Sequence, residues 1–206
     1  MGEIHITEEI RNKKMLVVEG KDDIGFFTTI LCKLNIPGIY VTCIEGKNRF
    51  EDQLPGLKKR PGFFNLTHLG VIRDKDTDGA FESIANILHN KMGFSNIPNQ
   101  NGQFMAGNPG IGIFIMPGDS VDGKSIEDLC LKMVERHPAM KCVNEFATCI
   151  KGLKEKPKNM SKAKVQSFLA CQPEIVNSLG RGAEEGCWNF NSPALDELNS
   201  FLNNFL

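Results

Sequence analysis

The sequence MLVVEGKDDIGFFTTILCKL, residues 15–34, contains a complete strand–helix unit. Its first four residues, Met15–Val18, form a continuous apolar run, which is typical of a strand buried on both faces. Glu19-Gly20 follows that run, and apolar residues then recur at 24, 27, 31 and 34, the spacing of one helical face. The stretch therefore predicts a buried strand that leads directly into an amphipathic helix.

Three more short apolar runs continue this pattern, at residues 39–44, 69–72 and 111–116. Helical spacing follows the third run at 81–88, and it follows the fourth run from an expected N-cap at Ser125. A short helix is expected near 50–57, and a loop or loose hairpin over 95–110. Buried strands that alternate with amphipathic helices predict an α/β fold with a four-stranded, mainly parallel sheet and helices on both faces.

Beyond His137-Pro138 the pattern changes to helices alone, which are expected at about 142–153, 161–171 and 193–206. The last of them has Ser192 as its N-cap and Pro193 at its first position. We therefore expect an α/β domain over residues 1–138. A helical C-terminal extension over 139–206 is expected to pack on that domain and to form one compact unit with it.

The composition is that of an ordinary globular protein, with 41% hydrophobic and 24% charged residues in 206. The 24 basic and 25 acidic residues nearly cancel, so the net charge does not indicate a general affinity for nucleic acid. The N-terminus has no apolar core typical of a signal peptide, and no apolar run approaches the roughly 18 residues of a membrane span. The seven cysteines are scattered without a CxxC pair, which predicts buried, reduced thiols in a cytoplasmic protein.

Acidic residues follow three of the four predicted strands: Glu19, then Asp74 and Asp76, then Asp119. The carboxyl ends of parallel strands are where α/β proteins bind ligands. Asp74 and Asp76 share one side of an extended chain, and Asp78 extends that set. Converging carboxylates raise one another's pKa, and a hard cation such as Mg²⁺ removes that penalty. These residues predict a site for Mg²⁺ or Mn²⁺, although solvated turn and cap residues remain an alternative, which we prefer for Asp22 and Asp23.

Two other motifs could explain DKDTDG, residues 74–79. A calcium EF-hand loop needs a bidentate Glu at its twelfth position, where this chain has Ala85, and the loop here follows a strand. The DxDx(T/V) motif of the haloacid-dehalogenase-like phosphatases needs Thr or Val where Asp78 stands. Both motifs therefore fit less well than a third.

VVEGKDD (17–23) and VIRDKDTDG (71–79) together resemble the Toprim domain, which occurs in topoisomerases, bacterial primases and overcoming-lysogenization-defect (OLD) nucleases. The resemblance implies that Asp74 and Asp76 hold Mg²⁺ and that Glu19 acts as an acid/base or metal-positioning carboxylate. It also implies that Gly20 permits a tight turn. The segments 111–129 and 161–174 are similar to a family of small stand-alone Toprim-like proteins, DUF3226.

Further candidates follow from the same pattern. Asp119, Glu127 and Asp128, with Asp78, are candidate ligands of a second metal, although the helix dipole and capping also explain Glu127 and Asp128. Lys124 is a candidate phosphate contact or a solvated loop lysine. The basic run 151–164 could neutralise phosphates or simply connect two helices.

We therefore expect a Mg²⁺- or Mn²⁺-dependent phosphodiester or phosphoryl-transfer enzyme, with a nuclease as the favoured member of that class. The expected partner is nucleic acid or another phosphate-containing substrate, without a membrane, and a homo-oligomer is compatible with the sequence. Two alternatives stay open. One is a non-catalytic Toprim-like module that binds nucleic acid or protein, and the other is a phosphatase for small substrates.

Overall fold

The computed structural model describes residues 9–45, 49–75 and 79–206, and within them a five-stranded sheet with the strand order β2-β1-β3-β5-β4. The strands are β1 (Lys14–Val18), β2 (Ile39–Cys43), β3 (His68–Asp74), β4 (Phe104–Met105) and β5 (Gly110–Met116). β1 pairs in parallel with β2 and β3, and β3 pairs in parallel with β5. The α/β class is therefore confirmed.

The number of strands differs from the expected four because the segment 95–110 contributes a short one. Phe104 and Met105 pair antiparallel with Gly112 and Ile111 of β5, so the segment forms a hairpin at the edge of the sheet. Only two residues pair, between neighbours rich in Asn, Gly and Pro, so no period-two alternation marks this strand in the sequence.

Eight α-helices surround the sheet in the described part of the chain. They are α1 (Lys21–Lys33), α2 (Phe50–Gly56), α3 (Ala80–Asn86), α4 (Ile126–Met133), α5 (Met140–Lys151), α6 (Met160–Ala170), α7 (Leu179–Glu184) and α8 (Asp196–Asn203). A π-turn, Ile87–Lys91, extends α3, and a 3₁₀ turn, Pro193–Leu195, precedes α8. None of the described helices is both long and apolar enough to cross a membrane.

Helices cover both faces of the sheet, and each face has its own hydrophobic cluster. Successive side chains of β1 point alternately into the two clusters. Met15 and Val17 pack on the side of α2 and α3, whereas Leu16 and Val18 pack on the side of α1, α4, α6 and α8. All four side chains have 0% exposure, which is why the run is continuously apolar.

The C-terminal helices share the hydrophobic cluster of α1, and α7 packs directly against α1. Phe168 of α6 and Leu202 of α8 lie in the same cluster as Phe26 of α1. The helix α7 has no counterpart among the expected helices, since its six residues include two glycines and carry too short a pattern. The division of the chain between residues 138 and 139 stays a prediction.

The expectation that the cysteines are buried is wrong for most of them. All seven are free thiols, but only Cys130 is buried, and four are exposed: Cys32, Cys142, Cys149 and Cys171. Three of these four lie in helices that bury only one face, and their thiols fall on the other face. An apolar neighbourhood in the sequence therefore did not imply burial here.

Candidate functional site

An acidic pocket of about 250 Å³ lies at the carboxyl ends of β1 and β3, and five acids line it: Glu19, Asp22, Asp23, Asp74 and Glu127. β1 and β3 are neighbours in the sheet, so the residues that end them come together. Glu19 follows β1 directly, and Asp74 is the last residue of β3. The backbone N–H of Asp74 donates to Oε2 of Glu19 at 3.4 Å.

The carboxyl group of Asp74 is held by α4, the helix that follows the neighbouring strand β5. Its Oδ1 accepts the backbone N–H of Ile126, the first residue of α4, at 3.0 Å. Burial, followed by the charges of Glu19, Asp23 and Glu127, raises the pKa of Asp74 to about 9, against an ordinary value of 3.8. Without a cation, Asp74 is therefore protonated at neutral pH.

Asp23 has the capping contact that the sequence favoured for it, whereas the contact of Asp22 is with a distant helix. Asp23 Oδ2 accepts the backbone N–H of Gly20 at 2.8 Å and so caps α1. Burial, with the charges of Glu19, Glu127 and Asp22, raises the pKa of Asp23 to about 7. Asp22 instead caps another helix, because its two oxygens accept the N–H groups of Leu179 and Gly180 at 2.8 and 3.0 Å.

The turn after β1 does not require glycine. Gly20 has φ −121° and ψ 163°, an extended conformation that any residue adopts. A Cβ at this position would lie 3.5 Å from Asp23 Oδ2, an ordinary contact distance. The structure thus contradicts the steric reason that the resemblance implied for Gly20, although the residue does line the pocket.

Asp128 holds the start of α4. Its Oδ2 accepts the N–H groups of Lys124 and Ser125 at 2.8 and 3.1 Å, and its Oδ1 accepts the Ser161 hydroxyl at 2.5 Å. Ser125 is the N-cap of α4, as expected. Lys124 is exposed, and neither it nor Asp128 lines the acidic pocket.

Asp119 lies apart from the acidic pocket. Its Oδ1 accepts an N–H of the Asn101 amide at 3.2 Å, and its backbone N–H donates to Glu197 at 2.7 Å. It lines a separate cavity with Lys75 and Gly79. Asp76 and Asp78 fall outside the described residues.

The C-terminal helices close the acidic pocket, which the sequence did not predict. Lys162 and Gln166 of α6 and Leu179 of α7 line it opposite the strand ends. Lys162 belongs to the basic run 151–164, so the run was a usable signal for cationic residues. The run could not show which of its lysines lines the acidic pocket, because that depends on how α6 packs on α4.

Glu19 and Asp74 are the candidate metal ligands in this pocket. Within the described residues, no three His, Cys, Asp or Glu side chains are grouped so that they could hold a metal ion. Mg²⁺ commonly uses only one or two carboxylates and completes its shell with water and substrate phosphates. A Glu19–Asp74 pair therefore matches the donor set of magnesium better than that of calcium or zinc.

Solved structures with a similar course of the chain come from the C-terminal region of the OLD protein of Xanthomonas campestris pv. campestris. The form phased with platinum is 16% identical, with 94% of this chain and 92% of that chain covered and a TM-score of 0.43. The form phased with mercury is also 16% identical, with 95% of each chain covered and a TM-score of 0.44.

No curated protein sequence matches this chain significantly. A family model described as "Protein of unknown function (DUF3226)" matches residues 13–206, which include every strand and helix described above. The chain belongs to the DUF3226 family.

Proposed function

We propose that the acidic pocket holds one Mg²⁺ or Mn²⁺ and that the protein hydrolyses phosphodiester bonds in nucleic acid. The observation that carries the proposal is the pairing of the half-buried Glu19 and Asp74 at the carboxyl ends of β1 and β3, where the pKa of Asp74 is raised to about 9. Crowded carboxyl groups lose their mutual repulsion when a cation joins them. A metal here would account for a set of acids that is otherwise costly to bury.

The hydrogen bonds in the pocket leave a carboxylate oxygen of Asp74 for a cation. Asp74 uses Oδ1 for the N–H of Ile126, which fixes the direction of the carboxyl group and leaves Oδ2 for a cation. Glu19 lies beside it at the end of β1. Asp76 follows Asp74 by two residues, and the resemblance to the Toprim domain over 17–23 and 71–79 assigns it to the metal with Asp74.

Fewer of the candidate ligands for a second metal lie at the acidic pocket than the sequence suggested. Of the second-site candidates that the structure describes, Glu127 alone lines the acidic pocket. Asp128 is engaged at the start of α4, and Asp119 lies at a separate cavity. The proposal needs one cation, and Glu127 is the described residue that a second cation would use.

In the proposed reaction, the bound metal would polarise the scissile phosphate and orient the attacking water. Glu19 would act either as general base, taking a proton from the attacking water, or as general acid, giving a proton to the oxygen that leaves as its bond to phosphorus breaks. Lys162, at the wall of the pocket, contributes positive charge toward a substrate phosphate. Lys21 is the second lysine there, and it forms a salt bridge with Glu45 at 2.8 Å.

The test is cleavage of single- and double-stranded DNA and RNA with Mg²⁺ or Mn²⁺. The wild type should cleave at least one substrate, and Asp74→Asn and Glu19→Gln should lose that activity. Asp122→Asn removes an exposed carboxylate on the loop before α4 and serves as the matched control. Equal activity in wild type and Asp74→Asn would refute the proposal, as would no activity in either.

A non-catalytic module that binds nucleic acid or protein is the second candidate. It is favoured by the number of acids near the pocket that already cap helices, namely Asp22, Asp23 and Asp128. That module would bind a nucleic acid without cleaving it, and Asp74→Asn would leave the affinity unchanged. With either function, we propose a cytoplasmic location, because all seven cysteines are free thiols.

A further inference from the structure

A second concave site lies at the opposite end of α1 from the acidic pocket. It is a cleft of about 1120 Å³ between the end of α1, the turn after α4 and the segment that joins α7 to α8. Lys33, the last residue of α1, lies at this cleft, whereas Asp23 in the first turn lines the acidic pocket. Ten helical residues separate the two, or about 15 Å along the helix axis.

The floor of this cleft is apolar and firmly held. Trp188 is only 3% exposed, its indole N–H donates to the carbonyl of Leu179 at 3.0 Å, and its ring stacks on Phe168 at 5.4 Å. Ile30 and Met133 are buried beside it. A floor fixed in this way gives a ligand a preformed surface, and the volume suits a drug-sized or nucleotide-sized molecule.

The rim of the cleft carries positive charge. The cations Lys33 and Arg136 line it together with the imidazole of His137, against a single acid, Asp196. Within residues 9–45, 49–75 and 79–206, neither Lys33 nor Arg136 forms a salt bridge. Lys33 instead lies over the ring of Phe190 at 5.1 Å. Both cations are therefore available to an anion from outside.

His137 is oriented to donate. Its Nδ1 accepts the backbone N–H of Ala139 at 3.2 Å, so the neutral ring carries its proton on Nε2. Its ring also packs edge-on against Phe168 at 5.2 Å. An N–H donor that lines the same cleft as two cations suits phosphate oxygens.

Amide side chains complete the wall. Gln172, Asn189, Asn191 and Asn199 all line the cleft. The Oδ1 of Asn199 is buried and has no hydrogen-bond partner within the described residues. A buried acceptor without a partner is costly, and a turn of the Asn199 amide toward a ligand N–H donor would satisfy it.

We infer that this cleft, which we call the basic cleft, binds a small organic phosphate of nucleotide size. The rim cations and His137 take the phosphate group, the amides take the polar atoms of the body, and the apolar floor lies under the apolar part of the ligand. The inference is independent of the proposed metal site, because the two lie at opposite ends of α1.

The experiment is isothermal titration of the full chain with AMP in the presence of EDTA, with adenosine and inorganic phosphate as comparison ligands. AMP should bind with one-to-one stoichiometry and more tightly than either comparison ligand. The double variant Lys33→Gln/Arg136→Gln should bind AMP at least about tenfold more weakly, since two charge-assisted contacts are lost. Lys132→Gln is the matched control, because Lys132 is exposed, pairs with Glu135 and does not line the basic cleft.

Three results would overturn the inference. They are no binding of AMP, equal affinity for AMP and inorganic phosphate, and unchanged AMP affinity in the double variant. Asp74→Asn separates the two sites, because it should abolish the proposed nuclease activity and leave AMP binding intact. Loss of AMP binding in Asp74→Asn with retention in the double variant would place the ligand in the acidic pocket instead.

Discussion

Replacing Asp74 by asparagine should stabilise the metal-free protein, and the gain should grow as the pH rises. The pKa of Asp74 is about 9 in the folded chain and 3.8 ordinarily. Between these values the folded state keeps a proton that the unfolded state has lost. The stability contributed by this group is therefore complete below about pH 4 and is lost as the pH rises toward 9.

The slope of this loss is about 1.4 kcal/mol per pH unit for one proton. Between pH 5 and pH 7, the wild type should lose roughly 3 kcal/mol of unfolding free energy through Asp74. Asparagine has no such proton and still offers an oxygen to the N–H of Ile126, whose bond to Asp74 is 3.0 Å long. The variant should therefore gain on the wild type by about that amount over the same interval.

Urea unfolding in EDTA at pH 5, 6 and 7 measures this difference directly. Asp122→Asn, which changes an exposed carboxylate, is the control and should follow the wild type at every pH. A difference between Asp74→Asn and wild type that stays constant over the series would refute the reasoning, because it would mean that Asp74 titrates alike in both states. A variant that is less stable than wild type at pH 7 would refute it as well.

Three further outcomes are expected. Mg²⁺ should raise the melting temperature of the wild type and leave that of Asp74→Asn unchanged. The increase in the wild type should be larger at pH 8 than at pH 6, because the metal displaces a proton from Asp74. Thermal scans with Mg²⁺ and with EDTA check this. Asp22→Ala should cost about 2–4 kcal/mol in urea unfolding, because it leaves two N–H groups at the start of α7 without their acceptor, and Asp22→Asn should lose less. Gly25→Ala should be less favourable than Gly56→Ala in urea unfolding. The Cβ at Gly25 would lie 3.1 Å from the Gly180 Cα, whereas the Cβ at Gly56 meets no atom within 4 Å, so Gly56→Ala should stabilise its helix by up to about 1 kcal/mol.

The positions of Glu19 and Asp74 in the acidic pocket were predictable because they follow from local sequence pattern and strand order alone. A continuous apolar run marks β1, and the acids at its end and at the end of β3 meet because adjacent parallel strands end at one edge. The cap at Ser125 was predictable for the same reason, since capping involves residues only three apart.

The remainder of the pocket depends on contacts between distant parts of the chain. Asp22 accepts hydrogen bonds from α7, 157 residues further on, and a six-residue helix with two glycines leaves no periodic signal. Lys162 lines the acidic pocket only because α6 packs on α4, and any of the six lysines in 151–164 would have satisfied the pattern. Sequence spacing thus located the strand ends but not the helices that close the pocket over them.

The most direct test of the metal site is the anomalous signal of Mn²⁺ in crystals of the wild type and of Asp74→Asn grown above pH 7. In the wild type we predict one anomalous peak, from a manganese ion that Asp74 and Glu19 coordinate. In the variant we predict no peak. A wild-type pocket without manganese at a saturating concentration, or a manganese ion bound elsewhere while Glu19 keeps its contact to the Asp74 N–H, would contradict this account.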